Sequence, residues 1–231
     1  KEEVAMRAEI VTALIEALVD DSGLLQEGAD RILHLSLRSG ALHASAIANA
    51  LGHSNATVQQ RVKLLLRSHG ESAIGSIIKV LQQGNVAAQK NALDVLVELH
   101  NSASATALVE ALRGAPSQLQ VFAVEHFVNL LNDPALAPLI HVHIRTIVRS
   151  LGEVAIDLLI QRSGREDIVY DLFGELAVEP LIQVMLRDPN PDVRTRSEGI
   201  LIRLAPLQSL ARAIRAQPKP ADKEAITAVL M

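Results

Sequence analysis

Histidines and clustered carboxylates are the residues of this chain whose chemistry could go beyond packing. Eight histidines are present. His141 and His143 have the spacing of two ligands on a strand. On a helix they point about 160–200° apart and cannot share a metal ion. His53, His69 and His100 fall near helix C-termini, where an imidazole meets free carbonyls and the negative end of the helix dipole. His34 and His126 stand alone on helices. Asp167, Asp171 and Glu175 recur every fourth residue, which puts them on one helix face. Such a face could hold a cation or an acid/base pair. It could equally be a solvated surface with acids near a helix N-terminus, and that is the expectation. No His-Glu-x-x-His, phosphate-binding glycine loop or nucleophile elbow occurs. With zero cysteine there is no thiolate, no thiolate zinc site and no disulfide. The residues therefore predict no enzyme: no catalytic residue, no cofactor and no metal.

The elements that would position such groups are unusual in composition. Of 231 residues, 49% are hydrophobic but only 2% aromatic, with no Trp, one Tyr and three Phe. The apolar content is thus almost all Ala, Leu, Ile and Val. No run approaches the roughly 20 apolar residues of a membrane span, and nothing at the N-terminus resembles a signal peptide. A net charge of −4 argues against a general nucleic-acid binder. The absence of cysteine fits a reducing compartment, so a cytoplasmic setting is expected.

Nearly every stretch repeats with helical period, and none shows sustained period-two alternation, so no sheet is expected. Gly40, Gly70, Gly84, Gly114 and Gly152 sit where helices should stop in the left-handed conformation. Pro116, Pro134, Pro191 and Pro206 sit near helix starts. A longer pattern overlies these signals. From Leu18, steps of 7, 8, 11 and 15 reach Leu25, Gln26, Ala29 and Leu33. The same steps from Leu51 reach Val58, Gln59, Val62 and Leu66; from Leu81, Ala88, Gln89, Ala92 and Leu96. From Leu112 they reach Leu119, Gln120, Ala123 and Phe127, and from Leu186, Val193, Arg194, Ser197 and Leu201. A weaker copy starts at Ile214. Each anchor ends a helix A; after a short turn, helix B carries its stripe at steps 7, 11 and 15. One such hairpin cannot bury its apolar faces, whereas stacked hairpins form a continuous core. Between Leu112 and Leu186 the rhythm breaks. A degenerate pair, 153–161 and 166–176, fits there with an inserted helix at about 136–151.

The run Asp188-Pro-Asn-Pro-Asp-Val-Arg194, after Val178–Arg187, resembles the HEAT-repeat signature. Gly70–Ile74 and Gly152–Ile156 resemble helix A openings of short bacterial HEAT repeats, also found in phycobilin-lyase-like proteins. The resemblance implies an all-α, right-handed α-α superhelix of about seven helix pairs, with A helices on the convex side and B helices on the concave side. It also implies a ladder of inter-repeat hydrogen bonds from a turn Asp and a helix B Arg. This chain has Arg at step 8 only in Arg194; elsewhere the residue is Gln, either bonding as a neutral ladder or simply exposed. Residues 1–231 are expected to form a single HEAT-like repeat domain. The non-Met start and the end without a polar capping helix suggest a module of a longer protein.

Charge is uneven. Residues 1–30 carry eight acids against Lys1 and Arg7, whereas residues 31–70 hold Arg31, Arg38, Arg61, Lys63 and Arg67 with no acid. Gln59, Lys63 and Arg67 share one outward face of a B helix. The expectation is a non-enzymatic interaction scaffold or regulatory module. Its partner is another protein or peptide, of acidic character, held on the concave B-helix surface. The partner-binding residues expected are Gln59, Lys63, Arg67, Gln89, Lys90 and Gln120, with no specific nucleic acid as partner. Leu93, Val97, Val121, Val124 and Val128, off the main stripe, are either buried between repeats or exposed as an apolar groove. The HEAT resemblance leaves two alternatives, a phycobilin-lyase-like or chaperone-type protein and a HEAT-like DNA glycosylase; the second is disfavoured because that family's site uses Trp.

Overall fold

The computed structural model describes residues 2–39, 44–161, 166–204 and 227. Among them every regular element is helical and no strand occurs. In chain order the helices are α1 (Glu2–Ala17), α2 (Gly23–Ser39), α3 (Ala44–Ala48), α4 (Ala56–His69), α5 (Ile74–Gln83), α6 (Val86–Glu98) and α7 (Ser102–Arg113). They continue as α8 (Ser117–Leu131), α9 (Pro138–Leu151), α10 (Glu153–Gln161), α11 (Glu166–Phe173), α12 (Val178–Arg187) and α13 (Pro191–Leu204). One-turn 3-10 segments at Asn49–Gly52, Gly70–Ala73 and Gly174–Ala177 link some of them.

The fold is all-α and of the helical-repeat, HEAT-like kind. The chain divides into two compact units, Lys1–Ile147 and Val148–Met231, the division falling inside α9. In the first unit A helices pack on A helices, α3 on α5 and α5 on α7, while B helices pack on B helices, α2 on α4, α4 on α6 and α6 on α8. The second unit repeats this, α10 on α12 and α11 on α13. The described residues hold six pairs and α9, which begins at Pro138 where an inserted helix was expected. The copy anchored at Ile214 lies outside the described residues, as do Gly40 and Pro206.

The stripe explains the core. At step 11 Ala29, Val62, Ala92, Ala123 and Ser197 are buried, and at step 15 Leu33, Leu66, Leu96, Phe127 and Leu201 are buried. The small residues let each B helix approach its neighbours closely. Two positions depart. Leu25, at step 7, is 55% exposed, and the anchor Leu186 is only half-buried. Leu93, Val97, Val124 and Val128 are buried; Val121 is not.

Local signals set the helix ends. Asn55, Asn85 and Asn101 cap α4, α6 and α7, their side-chain oxygens accepting from Thr57 N, Ala88 N and Ser104 N at 2.8, 2.8 and 2.7 Å. Each such cap contributes about 1 kcal/mol. Gly70 and Gly152 adopt the expected left-handed φ, +64° and +60°. Gly84 and Gly114 do not, with φ of −76° and −88°. At Gly84 the requirement is close approach instead: a Cβ would lie 2.6 Å from Val80 O and 2.8 Å from Ala88 Cβ. Pro134 lies in a turn, ahead of the helix start at Pro138. The helix α11 ends at Phe173, so Glu175 falls in the following 3-10 turn and the expected face of Asp167, Asp171 and Glu175 is interrupted.

Candidate functional site

Four of the step 8 residues bond, but inside their own hairpins. Gln26 Nε2 donates to Asp20 O at 2.5 Å and Gln59 Nε2 to His53 O at 2.6 Å. Gln120 Nε2 donates to Leu112 O at 2.9 Å, and Arg194 Nη1 to Asp188 O at 2.7 Å. Each closes the turn between helices A and B by satisfying a carbonyl that the chain reversal leaves open. The amide oxygens of Gln26 and Gln59 then face the next repeat. Arg61 Nη2 donates to Gln26 Oε1 at 2.8 Å, and Asn91 Nδ2 to Gln59 Oε1 at 3.0 Å. Asn91 Nδ2 also reaches Leu51 O at 2.8 Å. A rung therefore joins step 8 of one repeat to step 10 of the next.

The third rung is missing. Step 10 of the next repeat is Phe122, which has no donor to offer Gln89. Here a cleft of about 510 Å³ opens between the first turns of α6 and α8. Gln89 and Phe122 both line it, with Val86, Leu119 and Val121 supplying apolar wall and Gln82 and Gln118 further amides. Glu125 is the charged residue on its lining.

Further along the same helices the polar groups are paired. Lys63 Nζ lies 3.4 Å from Asp94 Oδ2, and His126 Nε2 lies 2.8 Å from Asp94 Oδ1. Their side chains are 13%, 17% and 10% exposed. Arg67 pairs with Glu98 at 3.1 Å. The expectation that Lys63 points outward is thus corrected: the spacing of α4 and α6 turns its stem into the groove between them, where Asp94 receives it. The basic run of residues 31–70 is in this part neutralised by acids of the next repeat. Of the six residues expected to meet a partner, Gln59, Lys63, Arg67 and Gln120 are engaged within the chain. Gln89 faces the cleft, and Lys90 is exposed beside it.

Two further groupings had no sequence signal. His100 and His143 meet with ring centroids 6.1 Å apart and planes at 88°. Burial, and then the nearby His100, lower the pKa of His143. His143 Nε2 is buried with no hydrogen-bond partner, and His100 is the one described non-glycine residue with positive φ, +49°. That backbone, at the C-terminal end of α6, costs about 1–2 kcal/mol for a side chain other than Gly. In the second unit a cleft of about 360 Å³ is lined by Glu153, Asp157, Gln183, Arg187 and Asp188. The cleft wall desolvates the Asp157 carboxyl, and Glu153 and Asp188 add like charge, so its pKa is raised. Among the described residues no group of three or more His, Cys, Asp or Glu is arranged to hold a metal. No described helix is long and apolar enough to cross a membrane.

Asn91 and Phe122 lie at step 10, outside the columns at steps 7, 8, 11 and 15. The step 10 column of Arg61, Asn91 and Phe122 carries the signal.

No family model matches the chain, and no curated protein does. Among solved structures, human deoxyhypusine hydroxylase in complex with glycerol is similar over 99% of this chain and 97% of that one, with 16% identity and a TM-score of 0.31. That protein is a hydroxylase, and on this finding the expectation of a non-enzymatic scaffold, and of no enzyme, is corrected. A helical-repeat chain without a sequence motif does not thereby exclude catalysis. At this TM-score the likeness transfers no activity, substrate or residue to the present chain.

Proposed function

We propose that the cleft between α6 and α8 takes a short, extended polypeptide segment, as ligand or as substrate. One observation carries this reading: the rung that joins Gln26 to Arg61 and Gln59 to Asn91 is not repeated at Gln89 and Phe122. An amide that the neighbouring repeats use internally is here left facing a cavity. Peptide backbone offers donors and acceptors to Gln82, Gln89 and Gln118, while Phe122, Val86 and Leu119 suit an apolar side chain. Glu125 favours a neutral or basic segment over an acidic one. The motive for an acidic partner was Lys63 and Arg67, and both already face acids. Gln89 and Lys90 stay in the reading as partner-facing residues. The Asp188–Arg194 run and the A-on-A, B-on-B stacking support placing the chain with HEAT-repeat proteins, and the lack of cysteine supports a cytoplasmic setting.

The test is selection of peptides from a random library on the whole chain, followed by binding to variants. Val86→Asp and Phe122→Asn should each weaken the selected peptides by about tenfold or more, an effect of about 1.4 kcal/mol. The second variant offers Gln89 the donor that Asn91 offers Gln59. Unchanged helicity by circular dichroism shows the fold intact. Peptides that bind both variants as well as they bind the parent chain would reject the cleft as the site.

A further inference from the structure

We propose that His100 and His143 form a two-imidazole site for a divalent transition-metal ion of the zinc type. Three separate features meet at this pair. The rings lie 6.1 Å apart between centroids. An ion about 2.0–2.1 Å from one nitrogen of each ring, at a tetrahedral or wider angle, sets the centroids about 5–6.5 Å apart. His143 Nε2 is buried without a hydrogen-bond partner, a state that an imidazole nitrogen rarely keeps unless something coordinates or bonds it. His100 holds a left-handed backbone at the place where a helix end normally has glycine. A histidine stands opposite His143 at a place where glycine would be less strained.

The chemistry of the pair selects the ion. Neutral imidazole suits zinc, copper and nickel, whereas magnesium and calcium want oxygen ligands. Each ring binds the ion through the lone pair of a neutral imidazole nitrogen, so affinity falls as acid protonates the pair. No third His, Cys, Asp or Glu completes a set of three among the described residues. The ion would therefore keep open positions for water or another ligand, and it would exchange readily. The site ties the turn after α6 to α9, two places that the sequence separates widely. His141, on the same helix, is engaged elsewhere, its Nε2 lying 3.2 Å from Asp133 O.

Calorimetric titration of the whole chain, carrying no added histidines, with zinc chloride tests the site, with magnesium chloride as the control. One zinc per chain and no magnesium binding are expected. His143→Gln and His100→Gly should each weaken zinc by about 100-fold or more, since losing a direct ligand exceeds the 10–100-fold effect of an outer partner. The His100→Gly variant guards against misfolding. It relieves the left-handed backbone, so its metal-free melting temperature should rise while zinc binding is lost. In nitrogen-15 spectra zinc should shift the ring signals of His100 and His143 and leave the remaining histidines unmoved. Zinc affinity unchanged in both variants, or shifts confined to other histidines, would overturn the assignment.

Discussion

In the row of α4, α6 and α8, neighbouring repeats are joined by half-buried polar groups; in the pair of α11 and α13, the cross-repeat ion pair stands in water. Asn91 bonds Gln59, and Asp94 receives both Lys63 and His126. Across α11 and α13 Arg203 meets Asp167 at 3.3 Å, with the acid 96% exposed. Both regions carry the same apolar stripe, Leu96 and Leu201 being equally buried. The contrast separates two roles that a repeat combines. The stripe holds helices A and B together. The polar residues around it set how one repeat meets the next, and they matter energetically only where water is kept out.

The largest effect should come from the shared stripe, and it should not distinguish the regions. Leu96→Ala and Leu201→Ala are each expected to cost about 2–5 kcal/mol, measured by urea unfolding. A cost for Leu201→Ala near that of a surface change would break the comparison at its base. The next effect should separate them. Asp94→Ala leaves the Lys63 ammonium with little water and no acid, and removes the acceptor of His126, at a cost of about 3 kcal/mol. Asp167→Ala should leave the unfolding midpoint where it was. Lys63→Ala, which an outward-facing lysine would make neutral, should now destabilise measurably by exposing Asp94's loss of its cation.

Asn91→Ala should cost about 1–3 kcal/mol, because Leu51 O and Gln59 Oε1 both lose their donor. The corresponding change on the broken rung, Gln89→Ala, should cost less than Asn91→Ala. Equal costs would show that the rung contributes nothing between repeats. The smallest effect is a pair of opposed pH dependences. His143 has a lowered pKa, so the unfolded chain binds its proton more tightly. Its contribution is complete above the ordinary value of 6.5 and is lost as pH falls through the lowered value. Asp157 has a raised pKa, so the folded chain binds its proton more tightly. Its contribution is complete below the ordinary value of 3.8 and is lost as pH rises through the raised value. His143→Gln should flatten the mildly acidic side of the stability curve, and Asp157→Asn the stretch above the ordinary carboxyl range. Curves that keep both slopes in the variants would remove these two groups as the cause.

Helix period, asparagine caps and the spacing of apolar anchors are local or repeat with fixed step, so the amino-acid sequence by itself determined the helix pairs, the buried columns at steps 11 and 15, the degenerate pair beginning at Glu153 and the helix ending at Leu151. Leu25 and Leu186 show the limit: both sit on the repeat pattern, yet one is exposed and the other half-buried. The polar contacts depend on something else, the small shift of one helix along the next. That shift sets step 8 of one repeat against step 10 of its neighbour, so Gln59 finds Asn91 while Gln89 finds Phe122 and a cleft. It also turns Lys63 from an outward face onto Asp94. His100 and His143 come together only because the turn after α6 reaches α9. No period relates them, and only the tertiary structure decided that they would meet.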